Sequence, residues 1–341
     1  MTRPPQEHPA PALPTLAGIR AAAEALRPHL AVTPMVRAEV LSRAFRAEVW
    51  IKNETITPIA SFKLRGALNA LIRARAGGHA GGAVTSSSGN HGQGVAYAAR
   101  LLGVAADIFL PEIANPLKVA MIQAFGGRVH RGGADIDEAK DRAKAFAAER
   151  ELLFVDDGES LDMMEGAGTV ALEAAEALDA IDAVIVPLGG GNLVSGSAAA
   201  LKALEPAAQV IAVQAKGAPA MVESFHARRV VERGIDTVAD GLVCRVPARL
   251  ALEAMWRLVD DAWLVSDEEL LRAVHSMIEC VHLLVEPAGA AALAGAWARR
   301  EAFRDRSVVL IVTGANITRG ELERALALPP LVALGDAVAA A

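Results

Sequence analysis

One lysine in this chain lies where the backbone disfavours a positive charge. Lys63 follows Phe62 in the stretch ASFKLRGALNAL, residues 60–71, which predicts the start of a helix. A cation at that end faces the positive pole of the helix dipole. A solvated lysine there costs little, but a lysine held against a phosphate or in an apolar pocket can lose its proton and attack a carbonyl carbon. The first chemistry that the sequence suggests is that of an amine nucleophile.

A loop of small polar residues is the second feature that could do chemistry. In VTSSSGNHGQGVAYAA, residues 84–99, an apolar run leads through serines and glycine into a helical run. Free backbone N–H groups at such a helix N-terminus attract an anion such as a carboxylate. An ordinary N-cap serine followed by a glycine turn explains the loop equally well when it is taken alone. The candidate residues are Ser87, Ser88, Gly89, Asn90 and His91.

Two further loops supply a phosphate-sized cradle and a hydroxyl group. In VPLGGGNLVSG, residues 186–196, three glycines allow the backbone to approach a phosphate closely. In IVTGANIT, residues 311–318, Thr313 ends a buried run and offers a hydroxyl to a ring nitrogen. Each loop alone is also typical of a tight turn. An amine nucleophile, a carboxylate loop, a phosphate loop and a hydroxyl are together the parts of a pyridoxal-phosphate site.

The elements that must position these groups alternate between strand-like and helix-like runs. Short β-branched runs separated by helices predict parallel sheets covered on both faces. Ligands in such folds bind beyond the carboxyl ends of the strands, and the loops after Val84, Val186 and Val312 lie there. The predicted strands cover 48–53, 82–88, 106–111, 127–133, 151–157, 182–191, 209–215 and 307–316, and the predicted helices 62–76, 94–103, 117–127, 135–151 and 169–178.

Composition excludes several other classes of protein. The 341 residues carry a formal net charge of −6 and show no basic stripe, which argues against nucleic-acid binding. Two cysteines imply no disulfide framework and favour a reducing cytoplasm. No apolar run reaches the length of a membrane span. We expect a disordered proline-rich tail over residues 1–15 and a loosely held C-terminal extension over 326–341.

The motifs resemble those of one enzyme family when they are read in order. The chain is similar, over about residues 15–325, to the serine/threonine dehydratase (ammonia-lyase) branch of the tryptophan-synthase-β-like, fold type II pyridoxal-phosphate enzymes. SFKLRGA resembles the lysine motif, and SSGNHGQG resembles the dehydratase asparagine loop, in which His follows Asn. GGGN, TGAN, VADGL and VEPAGA correspond to further family segments.

The resemblance implies an α/β architecture of two open, mostly parallel, three-layer α/β/α domains. A large cofactor-binding domain would comprise residues 16–73 and 159–325, and a small mobile domain would comprise 74–158. No regulatory domain is expected. The family also implies a homodimer.

The resemblance also implies a role for each candidate residue. Lys63 would bind the aldehyde of pyridoxal 5′-phosphate and later move the substrate's α-proton, and Ser88 is the second predicted catalytic residue. The predicted cofactor-binding residues are Phe62, Lys63, Asn90, Gly189, Gly190, Gly191, Asn192, Leu193 and Thr313. The predicted substrate-binding residues are Ser87, Ser88, Gly89, Asn90 and His91.

The implied reaction is removal of water from a β-hydroxy-α-amino acid such as L-threonine or L-serine, giving a 2-oxo acid and ammonia. A neutral hydroxyl at Thr313 leaves the ring nitrogen largely unprotonated, which favours elimination over transamination. Metal-dependent members carry acidic residues where this chain has Gln214 and Ala220, so no metal site is expected. The same change lowers the expectation of racemase activity.

Three alternatives remain open from the sequence. The enzyme could be a racemase or a β-replacement enzyme of the same fold. It could act on a bulkier 3-hydroxy amino acid, because Ile59 and Ala60 replace the usual residues before the lysine and could line the substrate side of the cofactor. A non-catalytic binding protein is a third alternative, although it would have no need of Lys63.

Overall fold

The computed structural model describes residues 12–114 and 116–339. Its strands are β1 (Met35–Arg37), β2 (Glu48–Asn53), β3 (Ala83–Ser86), β4 (Ala106–Leu110), β5 (Arg128–Arg131), β6 (Leu153–Phe154), β7 (Ala183–Pro187), β8 (Gln209–Ala215), β9 (Asp261–Val265) and β10 (Ser307–Val312). Its helices are α1 (Leu16–Leu26), α2 (Glu39–Phe45), α3 (Lys63–Ala76), α4 (Asn90–Leu101), α5 (Pro116–Ala124), α6 (Ile136–Glu149), α7 (Leu161–Ala177), α8 (Asn192–Leu204), α9 (Ala220–Ala227), α10 (Arg249–Leu258), α11 (Asp267–Ser276), α12 (Ala291–Trp297), α13 (Arg319–Leu326) and α14 (Leu334–Ala339).

The larger sheet has six strands in the order β1-β2-β10-β7-β8-β9. All neighbouring pairs are parallel except β1 and β2. Alternate residues of β10 belong to different cores: Val308 and Leu310 pack with residues of α2 and α12, whereas Val309 and Ile311 pack with residues of α7 and α8. Helices therefore cover both faces of this sheet, and its central strands are apolar on both sides.

The smaller sheet has four parallel strands in the order β5-β4-β3-β6. It carries its own core, in which Val95 of α4, Ile108 of β4 and Ile122 of α5 are fully buried. On its other face, Val84 and Phe109 pack with Ala143 and Ala147 of α6. Two sheets, one mostly and one wholly parallel, each with helices on both faces, confirm the predicted α/β class. All strands of the smaller sheet fall within 74–158, and movement of this part as a domain stays a prediction.

The strand predictions were accurate for two strands and too long for the other six, and they missed β1 and β9. β2 and β8 have the predicted bounds, whereas β6 covers two residues of the predicted 151–157. Helix α7 starts at Leu161, eight residues before the predicted start, because Ser160 caps it by accepting a hydrogen bond from the Met163 N–H.

The start of α3 is tied to the end of β10. Ser61 forms an isolated bridge with Gly314, and the Phe62 N–H donates to the Thr313 carbonyl at 3.0 Å. Ala60, just before, has a φ of 52°, which is unusual for a residue with a side chain. The chain thus turns sharply before α3, and this turn brings Lys63 beside Thr313.

Three buried charges and the partly buried Glu173 fix α3 behind this turn. The Arg65 guanidinium donates to both oxygens of Glu54 at 2.7 and 2.9 Å and to Glu173 at 2.6 and 2.8 Å. The Lys52 ammonium donates to the same Glu173 carboxylate at 2.6 Å. Burial works against the charged carboxylate, but Arg65 and Lys52 hold the pKa of Glu173 below its ordinary value. Two cations and two anions therefore balance inside the fold.

Both ends of the described chain pack against the body. Residues 1–11 of the predicted tail lie outside the described residues, and Thr15 caps α1. The C-terminal segment expected to be loosely held contains the buried Val332, whose carbonyl accepts from Ser276 at 3.2 Å. Among the described helices, none has the length and apolar character that a bilayer crossing requires.

Replacing Glu173 by Ala should destabilise the protein strongly. The change leaves the buried Lys52 ammonium and one side of the Arg65 guanidinium without their anion, and breaking a buried ion pair costs about 3 kcal/mol. The free energy of unfolding, measured by chemical denaturation, should fall by that amount. Glu176→Ala, on the exposed side of the same helix, is the control and should change it little. Equal losses in the two variants would contradict this account of the network.

Candidate active site

The loops after β3, β7 and β10 meet at one cavity between the two sheets. The cavity has a volume of about 750 Å³, and a smaller pocket beside it shares Phe62, Lys63 and Thr313 with its wall. Lining residues that the sequence predicted are Phe62, Lys63, Ser87, Ser88, Gly89, Asn90, His91, Gly189, Gly190, Gly191, Asn192, Leu193 and Thr313. The structure thus brings every predicted site residue to one place.

Lys63 is the first residue of α3, and its amine points into the cavity. Nζ lies 2.7 and 2.5 Å from the two carboxylate oxygens of Asp157 and 5.3 Å from the centre of the Phe62 ring. The side chain is 15% exposed, which leaves the nitrogen within reach of a small molecule. Asp157 neutralises the cation that the helix dipole disfavours at this end.

The glycine loop between β7 and α8 leaves room for a ligand by having no side chains. Gly191 caps α8 with a φ of 98°, in the left-handed region. A Cβ atom on Gly189 would lie 2.5 Å from the Gly241 carbonyl, and one on Gly190 would lie 2.8 Å from the Asp157 carbonyl. Each of these positions therefore requires glycine. No side chain caps the N-terminus of α8, so its first backbone N–H groups are available to an anion.

The serine loop between β3 and α4 forms a second helix N-terminus at the cavity. Helix α4 begins at Asn90 without a side-chain cap, and its cap residue Gly89 has an extended conformation. The Ser86 hydroxyl is buried and has no hydrogen-bond partner. The Ser87 hydroxyl accepts from the Gly89 N–H at 3.2 Å. An unpartnered hydroxyl beside uncapped N–H groups is suited to bind a carboxylate.

Asn90 is held from two sides by residues far away in sequence. Its Nδ2 donates to Glu286 Oε1 at 2.8 Å, and its Oδ1 accepts from Asn316 Nδ2 at 2.8 Å. Burial raises the pKa of Glu286 to about 7, although the Asn90 hydrogen bond acts in the opposite direction. These contacts fix which way the Asn90 amide faces.

His91 lies deeper than its predicted place beside the substrate. Its ring is 2% exposed, and Nε2 lies 2.9 Å from the Thr85 hydroxyl and 3.2 Å from the Val155 carbonyl. Because Thr85 donates its own proton to Val155, we assign the ring proton to Nε2. Burial lowers the pKa of His91, so the ring is neutral, and Nδ1 has no partner.

Several residues of the site were not predicted from the sequence. Asp157, Glu286 and Ser86 all line the cavity. The acidic pair in VDDG, which follows a strand, was a possible signal for Asp157, and VEPAGA was one for Glu286. Neither motif shows which distant residue its carboxylate contacts. Ile59, expected to line the substrate side, is 1% exposed and packs in the core around α3 and α4.

The two positions that decided the metal prediction have structural roles. Gln214 is buried in β8, and its Nε2 donates to the Leu242 carbonyl at 3.3 Å. Its Oε1 accepts from the Val222 N–H at 3.1 Å. Ala220, at the start of α9, is fully buried. Neither side chain supplies a charged oxygen.

The cavity fits the cofactor that the sequence predicts. A phosphate needs backbone N–H groups and no side chains, which the loop of Gly189 to Gly191 supplies. An aldehyde needs an amine within the same cavity, and Lys63 supplies it. Thr313, 4% exposed, is the hydroxyl next to the Lys63 turn.

Replacing Gly191 by Ala should weaken cofactor binding about tenfold or more. The new methyl group must take up a left-handed conformation and would lie 2.7 Å from the Ala251 Cβ atom, which displaces the loop. Titration of the cofactor-free protein with pyridoxal phosphate, followed by absorbance, measures the effect.

Gly103→Ala is the matched control for that experiment. Gly103 has a φ of 70°, and a Cβ atom added there would meet no other atom within 4 Å, so the backbone strain is similar and the contacts are absent. Its cofactor affinity should equal that of the parent protein. Equal affinity in the Gly191 variant would contradict the assignment of this loop to the phosphate.

Glu286 should make stability depend on pH. The folded protein binds the Glu286 proton up to a pKa of about 7, against an ordinary value of 4.5, so it holds this proton more tightly than the unfolded chain does. The stabilisation is complete below pH 4.5 and is lost as the pH rises through 7. Relative to Glu286→Gln, the wild type should lose about 3 kcal/mol of unfolding free energy over that range. The exposed Glu149→Gln is the control, and a parallel pH dependence of wild type and Glu286→Gln would contradict the prediction.

Comparison with known proteins agrees with this geometry. Residues 26–314 match the family model described as pyridoxal-phosphate dependent enzyme. The catabolic L-threonine dehydratase TdcB of Staphylococcus aureus is 33% identical over 308 residues, which cover 89% of each chain. The processed threonine deaminase isoform 2 of Solanum lycopersicum is 30% identical with a TM-score of 0.85, covering 91% of each chain. Maize serine racemase is 30% identical with a TM-score of 0.86, covering 93% of this chain and 98% of its own. The chain belongs to the family of pyridoxal-phosphate dependent enzymes.

Proposed function

We propose that this enzyme is a pyridoxal-phosphate dependent ammonia-lyase that removes water from a β-hydroxy-α-amino acid such as L-threonine or L-serine. The products are a 2-oxo acid and ammonia. The observation that carries the proposal is the position of the Lys63 amine between two uncapped helix N-termini, those of α8 and α4. One suits the phosphate of the cofactor, and the other suits the carboxylate of an amino acid. Similarity to a protein named as a threonine dehydratase and to one named as a threonine deaminase supports it.

The cofactor would be held by residues that line the cavity described above. The backbone N–H groups of Gly189 to Leu193 would bind its phosphate, Lys63 would bind its aldehyde carbon, and Phe62 would lie near its ring. Asn90, with its amide fixed by Glu286 and Asn316, would donate to the ring oxygen. When bound, the cofactor withdraws electrons from the amino acid's α-carbon and so makes its proton acidic.

Lys63 would act on the α-proton at Nζ. Its nitrogen carries a lone pair when neutral and lies at the cavity surface, so a substrate α-carbon can come within reach of it. The proton moves to Nζ, and the electron pair of the C–H bond expels the β-hydroxyl, which leaves as water after gaining a proton. The resulting enamine takes up water after release to give the 2-oxo acid and ammonia.

The loop of Ser87 to His91 would orient the substrate through its carboxylate. The N–H groups at the start of α4 carry the positive end of the helix dipole, and Ser86 adds a free hydroxyl. Ser88 would lie close to the reacting carbons on this loop and is the second catalytic residue that we propose. Thr313 would keep a neutral hydroxyl at the ring nitrogen.

Three finer points belong to the same proposal. Residues 74–158 would form a small domain that closes over the substrate, and residues 16–73 with 159–325 would form the large one. The enzyme would work as a homodimer. It would act in the cytoplasm on a small-molecule substrate, as its catabolic bacterial relative suggests.

Racemisation of serine is the second candidate, favoured by the similarity to maize serine racemase. Both reactions begin with loss of the α-proton, and they differ in whether the β-hydroxyl leaves before a proton returns. Incubation with L-serine, followed by assays for both pyruvate and D-serine, separates them. Formation of D-serine faster than pyruvate would overturn the dehydratase proposal.

Replacing Lys63 by Ala should abolish both cofactor capture and reaction. Without the amine, the visible absorption band of the bound cofactor should disappear, and 2-oxo acid release should fall about a thousandfold or more. Lys144→Ala, an exposed lysine of α6, is the control and should behave as the parent protein does. A panel of β-hydroxy amino acids that includes bulkier side chains should find the preferred substrate. Undiminished activity in the Lys63 variant would contradict the proposed role.

A further inference from the structure

Asp157 lies in contact with Lys63, yet no step of the proposed reaction uses it. It follows β6 by three residues and lies 94 positions from Lys63 in sequence. Its side chain is 32% exposed towards the cavity. The amine that Asp157 touches is the atom that must meet the substrate's α-carbon. Any group in contact with Nζ therefore acts next to the reacting atoms.

The carboxylate is held in place from a second direction. Asn192 Nδ2, at the start of α8, donates to Asp157 Oδ1 at 3.0 Å. The neutral His91 ring is also near, with Nδ1 at 3.9 Å from Oδ1. Asp157 therefore joins the first residue of α3 to the first residue of α8. A carboxylate restrained in this way cannot follow Lys63 into solvent.

Asp157 remains ionised in this setting. Burial opposes its charge, but the Lys63 ammonium and the Asn192 amide hold the pKa of Asp157 below its ordinary value. The adjacent carboxylate, Asp156, is paired with Lys140, whose Nζ lies 2.9 Å from it. Cys244 is also near, and burial raises the pKa of its thiol to about 12, so it carries no charge at neutral pH. In the part of the chain that the structure describes, Lys63 is the cation hydrogen-bonded to Asp157.

We propose that Asp157 is the positioning residue that supplies the counter-charge for the Lys63 amine. Before the cofactor binds, it holds the Lys63 ammonium at the cavity surface. During the reaction, Nζ changes from a neutral amine to an ammonium as it takes the α-proton, and Asp157 stabilises that charge. This second half rests on the proposed function, whereas the first does not. Asp157 acts through Lys63 and needs no contact with the substrate.

Chemical labelling of the cofactor-free protein tests the first half without any reaction. Reductive methylation followed by peptide mass mapping gives the labelling rate of Lys63, with Lys144 in the same protein as the internal reference. In Asp157→Asn, Lys63 should react about fivefold faster at neutral pH, because the amine loses the carboxylate that holds both of its short hydrogen bonds and is freer to meet the reagent. Asp156→Asn, which removes the neighbouring charge, should leave the rate unchanged. Equal rates in Asp157→Asn and the parent protein would overturn the proposal.

Exchange of an α-hydrogen with solvent tests the second half. L-Alanine has no β-hydroxyl to lose, so its α-hydrogen can exchange with deuterium without elimination. Exchange by the loaded Asp157→Asn enzyme should be about tenfold slower at unchanged cofactor affinity. Asp157→Glu, which keeps the charge, should recover much of the rate, as a purely structural role would not predict. Unchanged exchange in Asp157→Asn would overturn this half.

The two proposals fail in different ways. If Lys63 labelling accelerates as expected but the parent enzyme releases no 2-oxo acid from any β-hydroxy amino acid, the proposed function is wrong and Asp157 keeps its role towards Lys63. If Asp157→Asn does not fold, Asp157→Ser removes the same charge with a smaller side chain and gives the same two readouts.

Discussion

The first turn of helix α3 carries two cationic side chains, although the helix dipole disfavours positive charge there. Each cation is paired with carboxylates of its own. Arg65 points away from the cavity to Glu54 and Glu173, and Lys63 points into it to Asp157. The network around Arg65 fixes the position of α3, so the backbone of Lys63, two residues earlier, is also fixed. The turn tied to β10 fixes its direction. The rest of the site, including the glycine loop and the Asn90 amide, is arranged around this one nitrogen.

Two carboxyl groups of the cavity are in opposite electrostatic states. Asp157 lies beside a cation and keeps its charge, whereas burial makes Glu286 a weak acid with a pKa of about 7. Glu286 accepts from the Asn90 amide, and Asp157 accepts from Lys63 and Asn192. The same residue chemistry thus serves two purposes. One group pairs with the Lys63 amine, and the other orients a neutral donor without bringing a permanent charge next to the cofactor.

The sequence was sufficient to predict what depends on local pattern. Parallel sheets follow from β-branched runs such as 209–215, and the position of the site follows from loops at the carboxyl ends of strands. The residues that it did not reveal act through contacts between distant segments. Asn90 and Glu286 are 196 positions apart, and no spacing rule relates them. The prediction for Ile59 was wrong for the same reason. Its side chain packs against Gly94 of α4, where an added Cβ atom would lie 3.5 Å from an Ile59 methyl group, and no sequence spacing relates these two residues.

The charges around the amine also explain why a lysine is tolerated at the start of α3 in the absence of cofactor. Asp157 offsets the dipole in the free protein by pairing with the Lys63 amine. The central claim is that the Lys63 nitrogen is the atom to which the cofactor is attached. Borohydride reduction of the loaded enzyme, followed by peptide mass mapping, tests it most directly. The reduced cofactor should be found on the peptide containing Lys63, and an active, loaded enzyme with Lys63 unmodified and the cofactor on another lysine would contradict the claim.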